Sequence, residues 1–404
     1  MGFASQVTHG RLGRARLIAL LAGAAVCVAV TSCSSGPPGG VPGAGTEAPP
    51  ITILTHGGNN GNGDIFLAPE GGGYQNGPEI ITNTGRVVWF HPLPAGEIAT
   101  DFRTQTYLGQ PVLTWFQGGG GPGGGTDEIY NDRYQPMATV RAADGDMTDF
   151  HEFLITPWNT ALILADTPAT ANLSSIGGPS DQQVIDGVVQ EIDIKTGRVL
   201  FQWNSADHVP YRDSQVPRPG SASMLWDWFH INAVHLDTDG NLLIDARNTW
   251  TTYKVNIHTG QIIWEVGGKQ SSFTLKAGPG QVLDHDGEIF AWQHDPEAIG
   301  GGEYTWFDDE SGGNLLGSSR AVTVRLDLQT HVATLIKSDN QPEGLVAGVM
   351  GNAQTTRNGD LFVGWGNLPY ISEFSPSGKL LFNAELPAGI ATYRAYRLPW
   401  TPGV

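Results

Sequence analysis

Apolar residues in this chain occur in short runs, some alternating with polar residues and some continuous, and turn residues bound each run. The clearest example lies at 226–250, where one apolar run enters the turn Asp239-Gly240-Asn241 and a second run, 242–244, leaves it. Gly and Asn supply the positive φ angles that a tight hairpin turn requires. The pattern therefore predicts a strand, a turn and a second strand.

The predicted hairpin brings three polar side chains to one end. Because successive side chains on a strand point to opposite faces, His230 and Asn232 are expected on the same face. The return strand delivers Arg247 beside the start of the first strand. A guanidinium presents five N–H donors in a fixed fork, and an oxyanion suits that fork. The hairpin indicates an anion-binding site; the alternative is a surface hairpin with a solvated arginine and a hydrogen-bonded histidine.

Two turn patterns recur after residue 50. A Thr-Gly turn followed by apolar residues occurs at 84–89, 196–201 and 259–264, with weaker copies at 144–146, 330–333 and 377–382. An Asn-Gly or Asp-Gly turn before an apolar strand occurs at 62–66, 239–243, 286–290 and 358–362. A period of roughly 50 to 70 residues with several short strands is typical of propeller blades. The six copies predict an all-β fold, a six-bladed β-propeller.

Three other segments bear on this architecture. The alternating run 393–400 is predicted to close the ring against the first blade near residues 51–54. The glycine-rich run 118–125 is expected to connect two strands. Residues 205–224, rich in proline and polar residues, lead directly into the hairpin described above. Because long loops are usually functional covers or disordered insertions, and this one reaches the candidate site, it is expected to act as a lid.

The N-terminal residues have the pattern of an export signal. Residues 1–16 are basic, and 17–30 form an apolar run that is too short to span a membrane permanently. The run ends before Cys33 in a sequence that resembles a bacterial lipobox. We therefore expect a signal peptide at 1–32, a lipid on Cys33, a Pro/Gly-rich tether at 33–50 and the propeller domain at 51–404. This predicts a lipoprotein anchored to the outer face of the cell membrane; simple secretion is the alternative.

Composition removes several classes of function. The two cysteines, Cys27 and Cys33, both precede the propeller domain, so the propeller has neither a disulfide nor a cysteine nucleophile. The formal net charge of −18 argues against nucleic acid as a partner and against polybasic attachment to anionic lipid. Ligand spacing typical of a metal site does not occur, and neither a metal nor another cofactor is expected.

Three histidines stand apart from the rest. His151, His230 and His294 each lie at or near a strand end, in separate repeats, with aromatic residues and a carboxylate close in sequence. The inner strands of a propeller line a central channel, so these side chains are predicted to converge there with Arg247. Four other histidines lie beside turns and are expected to be solvated: His235, His258, His285 and His331.

Several blocks of this sequence resemble the arylsulfotransferase family. They are Asp149-Phe150-His151-Glu152-Phe153, residues 226–250, Trp292-Gln293-His294-Asp295, and the tail segments 351–354, 364–366 and 393–396. The resemblance implies a six-bladed propeller that moves a sulfuryl group from an aryl sulfate to a phenol without a nucleotide sulfate. It also implies that His294 becomes covalently sulfated, while His151, His230 and Arg247 hold the sulfate. Strand geometry adds Asn232 to this set.

Further roles follow from that reading. The phenol ring needs apolar walls, for which Trp228 and Trp292 are the first candidates, with Trp250 and Trp365; core packing is the alternative for each. Asp295 or Glu152 is expected to orient an imidazole. Two other functions stay open: a non-catalytic, lipid-anchored propeller that binds an extracellular ligand or scaffolds surface proteins, and a propeller enzyme that depends on a quinone or a metal. The sequence does not predict the oligomeric state.

Overall fold

The computed structural model describes residues 48–57, 63–120, 124–284, 286–310 and 317–403. The predicted signal peptide, Cys33 and nearly all of the tether lie outside these residues. Within them are 27 strands. In chain order the strands are β1 (Thr52–His56), β2 (Asp64–Gly71), β3 (Glu79–Ile81), β4 (Val87–Phe90), β5 (Ile98–Tyr107), β6 (Gln110–Gly118), β7 (Gly125–Tyr130), β8 (Pro136–Val140), β9 (Met147–Ile155), β10 (Ala161–Ala171), β11 (Gln182–Asp193), β12 (Arg198–Asn204), β13 (Trp226–Asp227), β14 (Ile231–Leu236), β15 (Leu242–Ala246), β16 (Thr251–Val255), β17 (Ile262–Val266), β18 (Thr274–Ala277), β19 (His294–Gly300), β20 (Glu303–Asp308), β21 (Arg320–Asp327), β22 (Val332–Asn340), β23 (Asn352–Thr355), β24 (Leu361–Gly364), β25 (Tyr370–Phe374), β26 (Leu380–Glu385) and β27 (Ile390–Leu398).

Helical structure is limited to short segments among the described residues. They are the α-helix α1 (Ser205–His208) and the 3₁₀ turns Ser174–Ile176, Tyr211–Asp213 and Arg247–Thr249. None of the described helices has the length and apolar character needed to cross a membrane.

The strands form six sheets, and each sheet is one blade of a propeller, which confirms the predicted fold class. From the axis outward, blade 1 is β27-β2-β3-β4, blade 2 is β5-β6-β7-β8, blade 3 is β9-β10-β11-β12, blade 4 is β14-β15-β16-β17, blade 5 is β19-β20-β21-β22-β18 and blade 6 is β23-β24-β25-β26-β1. Strand β13 adds to blade 3 by pairing in parallel with β11.

Both ends of the described chain close the ring. The C-terminal strand β27 is the innermost strand of blade 1 and pairs antiparallel with β2, with Asp64 opposite Leu398. The N-terminal strand β1 instead lies at the outer edge of blade 6, with Thr52 opposite Glu385. The prediction that 393–400 closes the ring is confirmed, but its partner near 51–54 is wrong. Strand β1 is too exposed for an inner position, whereas β2 is mostly buried.

The hydrophobic core consists of six clusters, one between each pair of neighbouring blades. Alternate residues of a middle strand enter different clusters: Leu242 and Ile244 pack towards blade 3, and Leu243 packs towards blade 5. Because both faces of such a strand are buried, it reads as a continuous apolar run. The apolar residues are therefore used between blades, which leaves the central axis to polar side chains.

The inner strands are irregular at the height where polar residues meet on the axis. In five of the six blades, pairing between the inner strand and its neighbour shifts register, as between Thr100 and Arg103 or between His294 and Glu297. Such bulges re-aim side chains and are common beside functional sites. Asp101 and Asp295, inside two of these bulges, have positive φ angles of 50° and 55°. The bulges turn successive side chains towards the channel.

Residues 205–224, the predicted lid, pack on the rim between blades 3 and 4. Tyr211 packs against Trp228 with ring centroids 4.6 Å apart. Lys269 Nζ donates hydrogen bonds to the carbonyl oxygens of Arg212 and Ser214, at 3.0 and 2.7 Å. The segment is thus attached to the body by side-chain contacts, and its role as a lid stays a prediction.

Candidate active site

The three singled-out histidines gather at one end of the channel, around Tyr393. The ring centroids of His151 and His230 are 5.1 Å apart, and Tyr393 lies 5.5 Å from His151 and 6.5 Å from His294. The histidines come from blades 3, 4 and 5, and Tyr393 comes from blade 1. We refer to these four residues as the histidine cluster. Its formation depends on the propeller, which brings together residues far apart in sequence.

Each imidazole in the cluster is held by an aspartate at the same ring atom. His151 Nδ1 lies 2.6 Å from Asp149, His294 Nδ1 lies 2.7 Å from Asp309, and His230 Nδ1 bonds to Asp227. When Nδ1–H donates to a carboxylate, the second nitrogen, Nε2, keeps its lone pair. The aspartates therefore fix three rings with the same nitrogen available for chemistry.

The electrostatic environment keeps His294 neutral. Burial lowers its pKa well below the usual value, and Arg247 and the other two histidines of the cluster lower it further. Burial also lowers the pKa of His151, which Asp149 partly opposes. Burial raises the pKa of Asp309 well above its usual value and Asp308 and Asp245 add to the rise, while Arg247 opposes it. A neutral imidazole with a free lone pair is a competent nucleophile near neutral pH.

Arg247 is delivered by the hairpin as the sequence predicts. Its backbone N–H donates to the carbonyl of His230 at 3.0 Å, which fastens the two residues together. Its guanidinium lies over the ring of Trp292, 4.8 Å from the centroid, and donates to the carbonyl of Gly348 at 3.0 Å. A guanidinium held on an aromatic face keeps a fixed direction, and here its positive charge acts on His294.

The cluster is largely sheltered but reachable. The His294 side chain is 2% exposed, whereas that of His230 is 30% exposed. His230, Trp250 and Trp292 have positive φ angles of 52°, 55° and 60°. Such conformations of non-glycine residues cost about 1–3 kcal/mol each and are concentrated at functional sites. Three of them lie close to Arg247. This end of the channel therefore holds its side chains in fixed directions at a cost in local backbone stability.

Asn232, which was predicted to contact the substrate, makes a hydrogen bond within the protein. Asn232 is buried, and its Nδ2 donates to the Gln293 carbonyl at 2.7 Å. The left-handed φ of His230 and the bulge at Asn232 break the strand alternation that placed both on one face. The predicted contact of Asn232 with substrate stays a prediction. Its observed contact fixes the main chain beside His294.

The four tryptophans divide into two pairs. Trp292 and Trp250 meet edge to face, with ring centroids 5.2 Å apart, beside Arg247. Trp228 and Trp365 are fully buried and donate their indole N–H groups to Asp186 and Ser372, at 2.9 and 2.8 Å. Trp228 and Trp365 thus lie in the cores between blades, which is the core-packing alternative given for them above. Trp292 lies beside the histidine cluster.

Beyond the histidine cluster, buried charges from five blades fill the axis. We call this group the axial charge cluster, and its members are Asp101, Arg103, Glu152, His235, Asp295 and Arg394. Arg394 Nη1 lies 2.7 Å from Glu152, 3.2 Å from Asp295 and 3.3 Å from Asp101. Arg103 pairs with Glu152 and lies 3.1 Å from Asp101. Every acid in the cluster therefore has a guanidinium beside it.

His235 belongs to this cluster, so the prediction that it is solvated is wrong. It is buried, and its Nε2 lies 3.2 Å from Glu152 and 3.3 Å from Asp295. Burial alone would lower its pKa, but the two carboxylates raise it to about 10. These are the carboxylates that were expected to orient a site imidazole. They instead bind His235 because the bulged inner strands aim them below the histidine cluster.

Three members of the axial charge cluster have the geometry of a metal site. Ligand atoms of Glu152, His235 and Asp295 lie within 4.8 Å of one another. Arg394 occupies the same carboxylates, however, and a protonated His235 is a hydrogen-bond donor rather than a ligand. A cation would have to displace a guanidinium, so this arrangement fits an internal ion network better than a metal site.

We expect Glu152→Gln to destabilise the fold. The substitution leaves Arg394 and His235 short of a buried counter-charge, and breaking a buried ion pair in this way costs about 3–5 kcal/mol. Urea unfolding measures the loss. The control is Glu303→Gln, which breaks a largely exposed pair with Arg325 and should change stability by less than about 1 kcal/mol. Equal effects of the two substitutions would contradict a structural role for the axial charge cluster.

The sequence reasoning missed Tyr393 and the three aspartates. Asp149 and Asp227 had a local signal, since each precedes its histidine by two or three residues. Asp309 had a weaker one: it stands in a run of three consecutive acids after an apolar strand, and all three are buried. Its pairing with His294 depends on the β19–β20 hairpin and could not be read from spacing alone.

Comparison with known proteins shows the family of this chain. The family model described as Arylsulfotransferase (ASST) matches residues 103–386, well over half of the chain. The chain belongs to the arylsulfotransferase family. Membership of the arylsulfotransferases supports sulfotransferase activity in general, with aryl sulfates and phenols as the class of substrate. No curated protein sequence matches the chain.

Solved structures that resemble this arylsulfotransferase-family chain are remote. They include a protein of unknown function from Bacteroides caccae (14% identity, TM-score 0.49, covering 83% of this chain and 98% of that one). They also include the extracellular domain of a putative hybrid two-component system from B. thetaiotaomicron (12% identity, TM-score 0.43, covering 86% of this chain and 36% of that one). A third is a putative 6-phosphogluconolactonase from Bacteroides fragilis (12% identity, TM-score 0.39, covering 88% of this chain and 99% of that one). These similarities are too distant to bear on its chemistry.

Proposed function

We propose that this protein transfers a sulfuryl group from an aryl sulfate to a phenol through a covalent intermediate on Nε2 of His294. The observation that carries the proposal is the environment of this imidazole. Its Nδ1 is tied to Asp309, its pKa is lowered by burial and Arg247, and two further imidazoles share its end of the channel. The family match supports the substrate class.

In the first half-reaction, the Nε2 lone pair of His294 attacks the sulfur of the aryl sulfate. An N–S bond forms, the bond from sulfur to the aryl oxygen breaks, and the phenolate leaves with the bonding electrons. The transferred group carries negative charge on its outer oxygens, as in phosphoryl transfer. Arg247 supplies the fixed positive charge for those oxygens, and Asp309 stabilises the Nδ1–H of the modified ring.

In the second half-reaction, the oxygen of an acceptor phenol attacks the sulfur, the N–S bond breaks and His294 recovers its lone pair. One proton leaves the acceptor, and one is gained by the departing phenolate. His151 and His230, anchored at Nδ1 by Asp149 and Asp227, present Nε2 lone pairs that can accept the proton of the acceptor phenol in this step and then release it to solvent, from which the departing phenolate gains its proton. Trp292 and Trp250 supply apolar surface for the aryl ring beside Arg247.

Intact-mass analysis tests the proposal directly. The protein is incubated with a chromogenic aryl sulfate in the absence of an acceptor, and we expect a mass increase of one sulfuryl group that disappears when a phenol is added. Steady-state rates with both substrates should follow a ping-pong pattern. Binding of the aryl sulfate with neither adduct nor released phenol would instead support a non-catalytic binding protein.

Arg247→Ala should lower kcat/KM by about 10²- to 10³-fold, because a preorganised charge on the transferred group is lost. Arg247 also lowers the pKa of His294, so its removal raises that pKa and leaves the imidazole protonated at higher pH. The acid limb of the pH–rate profile should therefore move to higher pH. Arg325→Ala, which removes an exposed arginine of blade 5, is the matched control. An unmoved acid limb would contradict the electrostatic role of Arg247.

The location of the protein is a separate proposal. Residues before 48 carry the signal-like sequence and Cys33, so we propose export and lipid attachment from the sequence alone. Such an anchor would hold the propeller at a membrane surface through the tether, where small phenols and their sulfates can reach it.

A further inference from the structure

The axial charge cluster lies between the histidine cluster and a cavity at the opposite mouth of the channel. This cavity has a volume of about 630 Å³, within the range of small-molecule sites. It is formed where the inner strands end, and we refer to it as the lower pocket. Its lining includes Arg103, Leu154, Pro157, Glu297, Tyr396 and Leu398. Nothing in the proposed sulfuryl transfer uses it.

Most polar groups of the lower pocket are already satisfied within the protein. Gln105 donates through Nε2 to Thr114 and to the Phe153 carbonyl, both at 2.8 Å, and its Oε1 accepts from the backbone of Ile155. Gln354 is bonded to the backbone of Arg397 through both ends of its amide. These side chains act as walls and leave few groups to recognise a ligand.

Glu297 is the exception. It lines the pocket three residues after His294 on β19, and the described residues offer its carboxylate no hydrogen bond or ion pair. Burial, reinforced by Asp295, raises its pKa to about 7, although His235, Arg103 and Arg394 act in the opposite direction. Ionising this carboxylate is therefore unfavourable in the empty pocket, and a positively charged ligand would relieve the penalty.

The balance of carboxylates and cations in the axial charge cluster also singles out Glu297. In the axial charge cluster, the carboxylates of Asp101, Glu152 and Asp295 face three cations. Those cations are Arg103, Arg394 and the protonated His235. Three negative charges balance three positive charges. Glu297 adds a further carboxylate below this cluster, and among the described residues the cations that act on it, Arg103, Arg394 and His235, already balance the three acids of the cluster.

We propose that the lower pocket binds an organic ammonium ion, with its charged nitrogen on Glu297 and its apolar body against Leu154, Pro157 and Leu398. The residues at the pocket favour this class over an anion, because of the two described charges in the lining Arg103 is held in ion pairs, whereas Glu297 forms none. They favour an organic cation over a bare metal ion, because among the described residues Glu297 is the one carboxylate of the lining, and the amides of Gln105 and Gln354 are engaged within the protein.

Calorimetric titration of the whole protein with benzylamine tests this inference. At neutral pH benzylamine is an ammonium ion with an apolar ring, and benzyl alcohol is its uncharged counterpart. We expect benzylamine to bind and benzyl alcohol to bind at least about tenfold more weakly, since a charge-assisted hydrogen bond is lost. No aryl sulfate is present, so this result is independent of whether the protein transfers sulfuryl groups.

Two variants and one control locate the binding. Glu297→Gln should weaken benzylamine binding by about tenfold or more. Thr106→Arg, at an exposed position that lines the same pocket, should also weaken it by placing a positive charge at the mouth. Glu303→Gln, on the next strand of blade 5 and outside this pocket, should leave it unchanged. Absence of binding, equal binding of benzyl alcohol, or unchanged affinity in both pocket variants would overturn the proposal.

Discussion

His294→Asn is expected to abolish both the covalent adduct and sulfuryl transfer. An asparagine amide has no basic lone pair that can attack sulfur, and no other imidazole of the histidine cluster has its environment. His294 alone combines near-complete burial, the Asp309 partner and the nearby Arg247 charge. Removing the nucleophile of a covalent mechanism typically lowers kcat by on the order of 10⁴-fold or more.

Two measurements check this result. Intact-mass analysis should show no increase with an aryl sulfate, and release of the chromogenic phenol should fall to the level of the reaction without protein. His258→Asn makes the same change at an exposed turn in blade 4 and should retain both signals. Turnover by His294→Asn close to that of the unmodified protein would remove the nucleophile from the mechanism.

Asp309→Asn is expected to lower kcat by about 10³- to 10⁴-fold while the fold is kept. The carboxylate accepts the Nδ1–H of His294 at 2.7 Å and so leaves the lone pair on Nε2. An asparagine of the same shape can donate to Nδ1, which moves the ring proton to the nitrogen that must attack sulfur. The charge that stabilises the modified ring is lost at the same time.

Single-turnover kinetics separate this positioning role from a structural one. Formation of the adduct should slow by the same factor as kcat, whereas KM for the aryl sulfate should stay within about threefold because Arg247 and Trp292 are unchanged. Asp327→Asn, at an exposed turn of blade 5, is the matched control. A large rise in KM with unchanged adduct formation would show that Asp309 acts on binding instead.

The blades were predictable because each turn pattern and each apolar run is local in sequence. Leu242, Leu243 and Ile244 read as one apolar run since their side chains enter cores on both sides of blade 4. The closing partner of β27 was not predictable in this way. Both β1 and β2 lie near the start of the domain, and only the packing of the complete ring decides which of them receives the last strand.

The site was predictable in its principal residues but not in their supports. His151, His230, His294 and Arg247 come together at one end of the channel, as the repeats and the hairpin indicate. Strand alternation failed for Asn232, because it assumes a regular strand and the inner strands are bulged. Partners from other strands, such as Asp309, depend on hairpin register, which the spacing of residues in sequence does not give.

The position of the last strand has a consequence for biosynthesis. Strand β27 carries Tyr393, whose ring packs against His151 in the histidine cluster. It also carries Arg394, whose guanidinium neutralises acids from three blades. A chain cut short before this strand would retain every histidine of the cluster and Arg247, yet it would have an unfilled axis and uncompensated acids. The end of the channel that holds the histidine cluster is therefore completed only after translation has passed strand β27.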